Sequence, residues 1–327
     1  MPARIVLSPL AWIGRQGTKA LAASIVLGLA LPQLASLARP LIGPCVFVFL
    51  ALAFLRVDLS ATRAVLARPG RLALASLWIL AALPLAISLV VAAIGRQDLD
   101  PGLTLGLALM AAAPPILSAP AVAALLGFEA TFLVAVVVVA MVATPLTAPI
   151  VASLVAGGTV PLEPVALALR LGALLAGSSL IAFAIRRVVG YAAVLRGRTV
   201  IDGLNVVFFF VFAVGAMDGV AAKALGAPAE LLRDLAIVFT VSAAGILVTL
   251  PTLRGFGADQ AFVLGFASGH RNMGLLVAAL GGALPEGAWI FFAVAQFPIY
   301  LMPLFLGPLA RRLLPPPTLD EALPPAR

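Results

Sequence analysis

The chain has 327 residues, of which 63% are hydrophobic and only 10% charged, with a mean hydropathy of +1.18. That composition excludes a soluble globular domain, because it supplies many apolar runs long enough to cross a hydrocarbon core of about 30 Å. The net charge of +8 does not call for a nucleic-acid partner, since the distribution of the basic residues accounts for it.

The first twenty residues, MPARIVLSPLAWIGRQGTKA, combine basic residues with a modest apolar run and lack a small-residue cleavage site. They read as a retained cytoplasmic or interfacial leader. Ten apolar runs follow, interrupted by charge, glycine and proline, with ends defined to within a few residues. They are 20–37, 40–55, 72–94, 103–126, 130–155, 165–185, 200–217, 231–253, 261–280 and 289–306. The single cysteine, Cys45, lies in an apolar run and reads as a small core hydrophobe.

Basic residues test the number of spans, because a wrong count would scramble the positive-inside bias. With the N-terminus inside, only Arg39, Arg96, Lys223 and Arg233 fall on outer segments, and Arg170 and Arg271 fall within spans. The other fifteen of the 21 Lys and Arg residues lie on the inner side. Ten spans with both termini cytoplasmic, in a plasma or inner membrane, is therefore the expected topology.

Two offsets suggest an internal repeat. A shift of 154 pairs residues 114–127 with 268–281, placing Leu125 and Gly127 on Ala279 and Gly281. A shift of 160 pairs 46–58 with 206–218, matching Val46 to Val206, Phe49 to Phe209, Ala53 to Ala213 and Asp58 to Asp218. The expected fold is thus an all-α polytopic membrane protein of two five-helix repeats, 1–157 and 158–315, with a short cytoplasmic tail at 316–327. Five is odd, so the second repeat would be inverted across the membrane.

The fourth and ninth spans carry the paired interruptions. Pro114 and Pro115 remove two backbone donors in mid-span, with Pro120 removing a third. The ninth span holds the stretch ASGHRNMGL, residues 267–275, with the chain's only histidine, His270, followed by Arg271 and Asn272. Charge at that depth costs several kcal/mol and is rarely idle. Both spans read as discontinuous helices crossing near the bilayer centre, where half-helix ends and freed carbonyls can bind ions or charged solutes.

These residues carry a family resemblance. The ten-span plan, the proline-broken fourth span followed by Gly127, Phe128 and Glu129, the fifth span ending MVATPLTAPIV, and ASGHRNMGL together resemble the bile acid:sodium symporter superfamily over nearly the whole chain. The family's ninth-span pattern Glu-x-Gly-x-Gln-Asn-x-Gly-Leu falls on Ala267 to Leu275. The resemblance implies a core domain of spans three to five and eight to ten, a panel domain of one, two, six and seven, and a substrate crevice between them. The departures are equally specific. Where the family binds two sodium ions with Glu and Gln of the ninth span, this chain has Ala267 and Arg271. The fourth-span Ser-Asn pair aligns with Ala119 and Pro120, and hydroxyl ligands of the fifth span align near Leu133 and Val137. Sodium is a hard cation that wants several oxygens, and none of the aligned carboxylates remains.

The resulting expectation is a secondary transporter of small organic anions, independent of sodium, with proton coupling, exchange and uniport all open. A sodium-coupled symporter with altered ligands, or a non-transporting sensor on the same fold, is the alternative. The substrate-binding candidates are Arg271, Asn272, His270, Ser268, Ser118, Pro114 and Pro115. Arg271 admits two readings: it holds the anion, or it ties down the carbonyls of the broken helices. His270 is either a proton relay or a polar core residue bonded to a freed carbonyl. Glu129, Asp58 and Asp218 read as helix-end groups, Arg170 as snorkelling or paired with Glu163, and Asn205, Gln260 and Gln296 as cavity-lining groups or interhelical hydrogen-bonders. One His and one Cys supply neither a metal-ligand cluster nor a nucleophile with its base, so no enzyme, cofactor or resident metal is expected. No pore rings suggest a channel.

Overall fold

The computed structural model describes residues 9–10, 12–13, 17–57, 69–158, 160, 162–281 and 284–313. The tail 316–327, Asp58 and most of the leader fall outside these residues. Apart from one isolated β-bridge, the regular secondary structure among the described residues is helical. Seven helices are long and apolar enough to cross a membrane: α2, Pro32–Arg56; α3, Pro69–Ile94; α6, Thr131–Ala156; α7, Pro164–Val189; α8, Arg198–Gly226; α9, Pro228–Thr252; and α12, Glu286–Leu306. They make the chain an integral membrane protein. Beside them stand α1, Gly17–Ala30, four short apolar helices, α4, Pro101–Ala112, α5, Ala119–Leu125, α10, Ala258–Gly269, and α11, Met273–Ala279, and the connecting turns Arg96–Asp98, Tyr191–Arg196 and Arg254–Phe256.

The expected fourth and ninth spans are therefore each two half-helices, twelve residues then seven in both cases. The expected first boundary moves. Instead of breaking between Leu37 and Pro40, the chain breaks at Leu31, and Pro32 opens α2. Proline fits the first helical turn, where its missing N–H would be unpaired anyway. Pro40 is tolerated inside α2 because the helix tightens there into a 3-10 turn, Arg39–Leu41, with proline in its first turn.

The helices pack in two groups. α2 lies against α7 and α8, and α1 against α8; α4 lies against α6 and α12, α3 against α6, and α9 against α10 and α12. The groups meet where α6 lies against α7 and where α11 touches α2 and α7. Close approach within the second group depends on glycine. A Cβ on Gly106 would stand 2.5 Å from the Phe291 ring, and one on Gly102 would stand 2.8 Å from the Cα of Gly287. Small residues let helix backbones meet, which is how membrane helices gain van der Waals contact without a hydrophobic drive.

Within α3 the residues Trp78–Ala82 form a π-helical turn. The Trp78 indole N–H donates to Thr249 Oγ1 of α9 at 2.8 Å, and that hydroxyl donates to the Gly245 carbonyl at 2.6 Å. Replacing Trp78 with Phe keeps most of the packing and removes this link. We expect a loss of roughly 0.5–1.5 kcal/mol, read as a small fall in Tm of the detergent-purified protein; an unchanged Tm would mean the link carries no net stability.

Candidate substrate site

The break between α4 and α5 meets the break between α10 and α11. α4 ends where Pro114 and Pro115 withhold two N–H groups, and α10 ends at Gly269. Between them Pro115 and Arg271 form an antiparallel bridge: Asn272 N–H donates to the Pro114 carbonyl at 2.8 Å, and Ile116 N–H donates to the His270 carbonyl at 2.9 Å. Each break thus satisfies backbone groups of the other, as non-helical backbone inside a bilayer requires.

Arg271 secures the crossing. It is 4% exposed, with Nη1 donating to the Ala113 carbonyl at 3.2 Å and Nη2 to the Ile79 carbonyl at 2.9 Å. The second acceptor is free for a local reason. In the π-turn Leu83 N–H donates back to Trp78, and the next residue, Pro84, has no N–H to give. The Ile79 carbonyl has lost its helical donor, and the guanidinium supplies one from a residue far away in sequence. Both hydrogen bonds match the carbonyl-tying role. None of the four ion pairs among the described residues involves Arg271, so its charge faces no carboxylate.

Beside the crossing lies a cavity of about 370 Å³ between α2, α5, α6, α8, α11 and α12. Arg271, Asn272 and Ser118 line it, together with Arg56, Asn205, Gln296 and Tyr300 and the rings of Phe49, Phe209 and Phe212. Phe49 packs on both Phe209 and Phe212 at 5.7 Å between centroids. The lining contains two arginines and no acidic side chain. At the rim Arg56 pairs with Asp202 at 2.8 Å, and both are part-exposed.

The other four candidates stand apart from the cavity. Pro114 and Pro115 are buried in the bridge and shape it without lining the space. Ser268 is buried and its hydroxyl has no partner among the described residues. His270 is fully buried, with Nδ1 donating to the Phe266 carbonyl at 2.8 Å, Nε2 lying 3.3 Å from the Pro298 carbonyl, and its ring stacked on Phe266 at 4.1 Å. Consecutive residues on an extended bridge point to opposite sides, which is why Arg271 reaches the cavity and His270 does not. We expect His270→Gln to leave the pH dependence of uptake unchanged; a flattened pH profile in proteoliposomes would return His270 to the transport path.

Several secondary candidates also resolve. Asn205 and Gln296 line the cavity, and Gln296 Nε2 donates to the Phe292 carbonyl at 3.0 Å. Glu129 acts at the start of α6, accepting from Thr131 N–H at 2.6 Å and from Gln260 Nε2 at 3.2 Å. Asp218 is not merely solvated: it pairs with Arg39 at 3.0 Å. Arg170 is exposed, and no ion pair joins it to Glu163 among the described residues. Sequence reasoning missed Arg56, the last residue of α2, and Tyr300, inside α12, both in runs with no distinguishing pattern.

The chain matches no protein-family model, and none of the curated proteins matches it.

Proposed function

We propose that the protein is a secondary transporter of small organic anions working by alternating access in a plasma or inner membrane, with both termini cytoplasmic. The observation that carries this reading is Arg271, whose buried guanidinium has no carboxylate partner and which lines a cavity without acidic side chains. A buried cation without a counter-charge is costly, and an anion entering the cavity relieves that cost.

The architecture supports the same reading. α1, the two pairs of half-helices and the seven long helices together make ten passes. Counting from the start of each half-helix, α4 and α10 are offset by 157 residues (258 minus 101) and α5 and α11 by 154 (273 minus 119). These offsets suit two repeats of five passes, inverted relative to one another, with a break three residues longer in the first. Phe49 and Phe209, equivalent under the repeat, touch each other, as residues near a pseudo-twofold axis would. The two packing groups suit the core and panel that the resemblance to the bile acid:sodium symporter superfamily implies, and the cavity suits its crevice.

Arg271 in place of a sodium ligand argues for carriage without sodium. It supplies a fixed positive charge that cannot dissociate as an ion does. One observation favours a retained ion, the unpartnered buried hydroxyl of Ser268, and sodium coupling is therefore the second reading. Uptake of labelled organic anions into proteoliposomes, under imposed sodium, proton or no gradients, separates them. Uptake indifferent to sodium and raised by counter-loaded anion or a pH gradient is the expected result. A strict requirement for sodium would establish the second reading, and no uptake of any anion in the panel would remove transport.

A further inference from the structure

A second cavity, of about 430 Å³, lies at the other end of the same helix pair. The first is lined by Val46 to Arg56 of α2 and by Met273 and Gly274 at the start of α11; the second by Ile42, Gly43 and Pro44 of α2 and by Val277 and Ala278 near the end of α11. Arg39 and Arg56 are 17 residues apart, about 25 Å along a helix at 1.5 Å per residue. The cavities therefore sit near opposite ends of one seam. Between the α11 residues of the two linings stand Leu275 and Leu276, both fully buried, and Phe212, which lines the first cavity, has its ring 3.1 Å from where a Cβ on Gly274 would stand.

The far end carries a side-chain cluster that the anion site does not use. The Arg39 guanidinium lies over the Trp289 ring at 3.9 Å from its centroid and pairs with Asp218 Oδ2 at 3.0 Å. The Trp289 indole N–H donates to the Asp218 carbonyl at 3.0 Å. Arg39 belongs to α2 and Asp218 to α8, both of one packing group; Trp289 belongs to α12, of the other. The only polar links in this cluster that cross between the groups are thus the cation–π contact and one indole hydrogen bond.

We infer that Arg39, Trp289 and Asp218 form a latch that holds the far end of the seam shut while the Arg271 cavity is accessible, and that alternation requires the latch to part. The inference rests on the alternating-access reading above. A cation–π contact and a single hydrogen bond to a backbone carbonyl are individually modest interactions, which suits a contact that must break and reform. The Arg39–Asp218 pair lies within one group and persists when the groups separate. It keeps the guanidinium poised to re-engage the indole, so the latch closes without a search over arginine rotamers.

Thiol accessibility tests the latch without any substrate, so its failure is distinguishable from failure of the transport reading. Val277 is 1% exposed, lines the far cavity and accepts cysteine with little change of volume; Ser118 is exposed and lines the near one. In lipid nanodiscs, Val277→Cys should react slowly with a polar maleimide and Ser118→Cys quickly. Adding Arg39→Gln or Trp289→Phe should raise the rate at Val277→Cys about tenfold and lower it at Ser118→Cys, because the rate follows the open fraction. Native Cys45, 2% exposed, reports on general loosening and should stay unreactive. An unchanged rate at Val277→Cys in both latch variants overturns the proposal, and so does a rise matched at Cys45. Faster labelling at Val277→Cys without anion uptake by the parent protein would keep the latch and remove the transport reading.

Discussion

Arg271→Ala is expected to yield protein that is poorly folded or strongly destabilised. The change strips donors from the Ala113 and Ile79 carbonyls at one stroke. A buried acceptor left unsatisfied costs roughly 1–3 kcal/mol, so the pair amounts to about 2–6 kcal/mol. Neither carbonyl has a helical substitute. Ala113 stands before two prolines, and the donor that would serve Ile79 in the π-turn is the nitrogen of Pro84. Arg271→Gln, with one amide NH2, can serve one carbonyl and should lose about half as much. Arg271→Lys keeps the charge but lacks the fork that spans two acceptors, and should fall between Gln and wild type. Tm in detergent and monodispersity on size exclusion read the series. The sharp alternative is a variant as stable as wild type that has lost anion uptake; Arg271 would then be a substrate ligand whose two carbonyl contacts carry no net stability.

The two roles of Arg271 are compatible in geometry. Its terminal nitrogens are engaged on the side of the bridge and the π-turn, and Arg271 is also among the residues that line the cavity. A charge held by neutral carbonyls is fixed in place without being neutralised, as an electrostatic anchor for an anion requires. The stability and uptake readouts can therefore both respond to one substitution, and Arg271→Lys is the informative variant because it retains charge while losing the fork.

The sequence carried the breaks in the fourth and ninth spans for two different reasons. Pro114 and Pro115 announced one by removing donors, and the polar run Ser268 to Asn272 announced the other by its cost in a bilayer. Their union at Pro115 and Arg271 was not legible, since a two-bond backbone bridge between residues 156 positions apart (271 minus 115) leaves no side-chain signature. The π-turn in α3 was equally hidden. WILAALPL is uniformly apolar, and only Pro84 hints that a carbonyl upstream lacks its donor. The first-span boundary went astray because Pro32 and Pro40 are both compatible with opening a helix, and tertiary packing decided for Pro32. His270 and Arg271 looked equivalent by composition; the extended backbone at the break separates them, one into the core and one to the cavity. Phe49 and Phe209 were visible only through the repeat offset, and Arg39 and Asp218 only through space.

Gly269→Val should abolish the folded protein. A Cβ on Gly269 would fall 2.4 Å from the Ser242 carbonyl oxygen and 2.8 Å from Ile246 Cγ1. The reciprocal contact is also close, because a Cβ on Gly245 would stand 3.0 Å from the Gly269 Cα. The α9 and α10 backbones therefore touch at this pair, and the obstacle to a side chain is main chain, which cannot rotate away. Even alanine forces the helices apart, at a cost of roughly 1–3 kcal/mol typical of overpacking. The displacement would also propagate. Gly269 is the last residue of α10, and His270 and Arg271 immediately beyond it form the bridge to the stretch between α4 and α5. Gly172 in α7 is the matched control, since a Cβ there meets nothing within 4 Å. Gly172→Ala should hold Tm or raise it slightly, as glycine in a helix interior costs about 0.5–1 kcal/mol relative to alanine. If Gly269→Ala retains the wild-type Tm and Gly269→Val still elutes as a monodisperse peak, the close contact of α9 and α10 is not what positions the break.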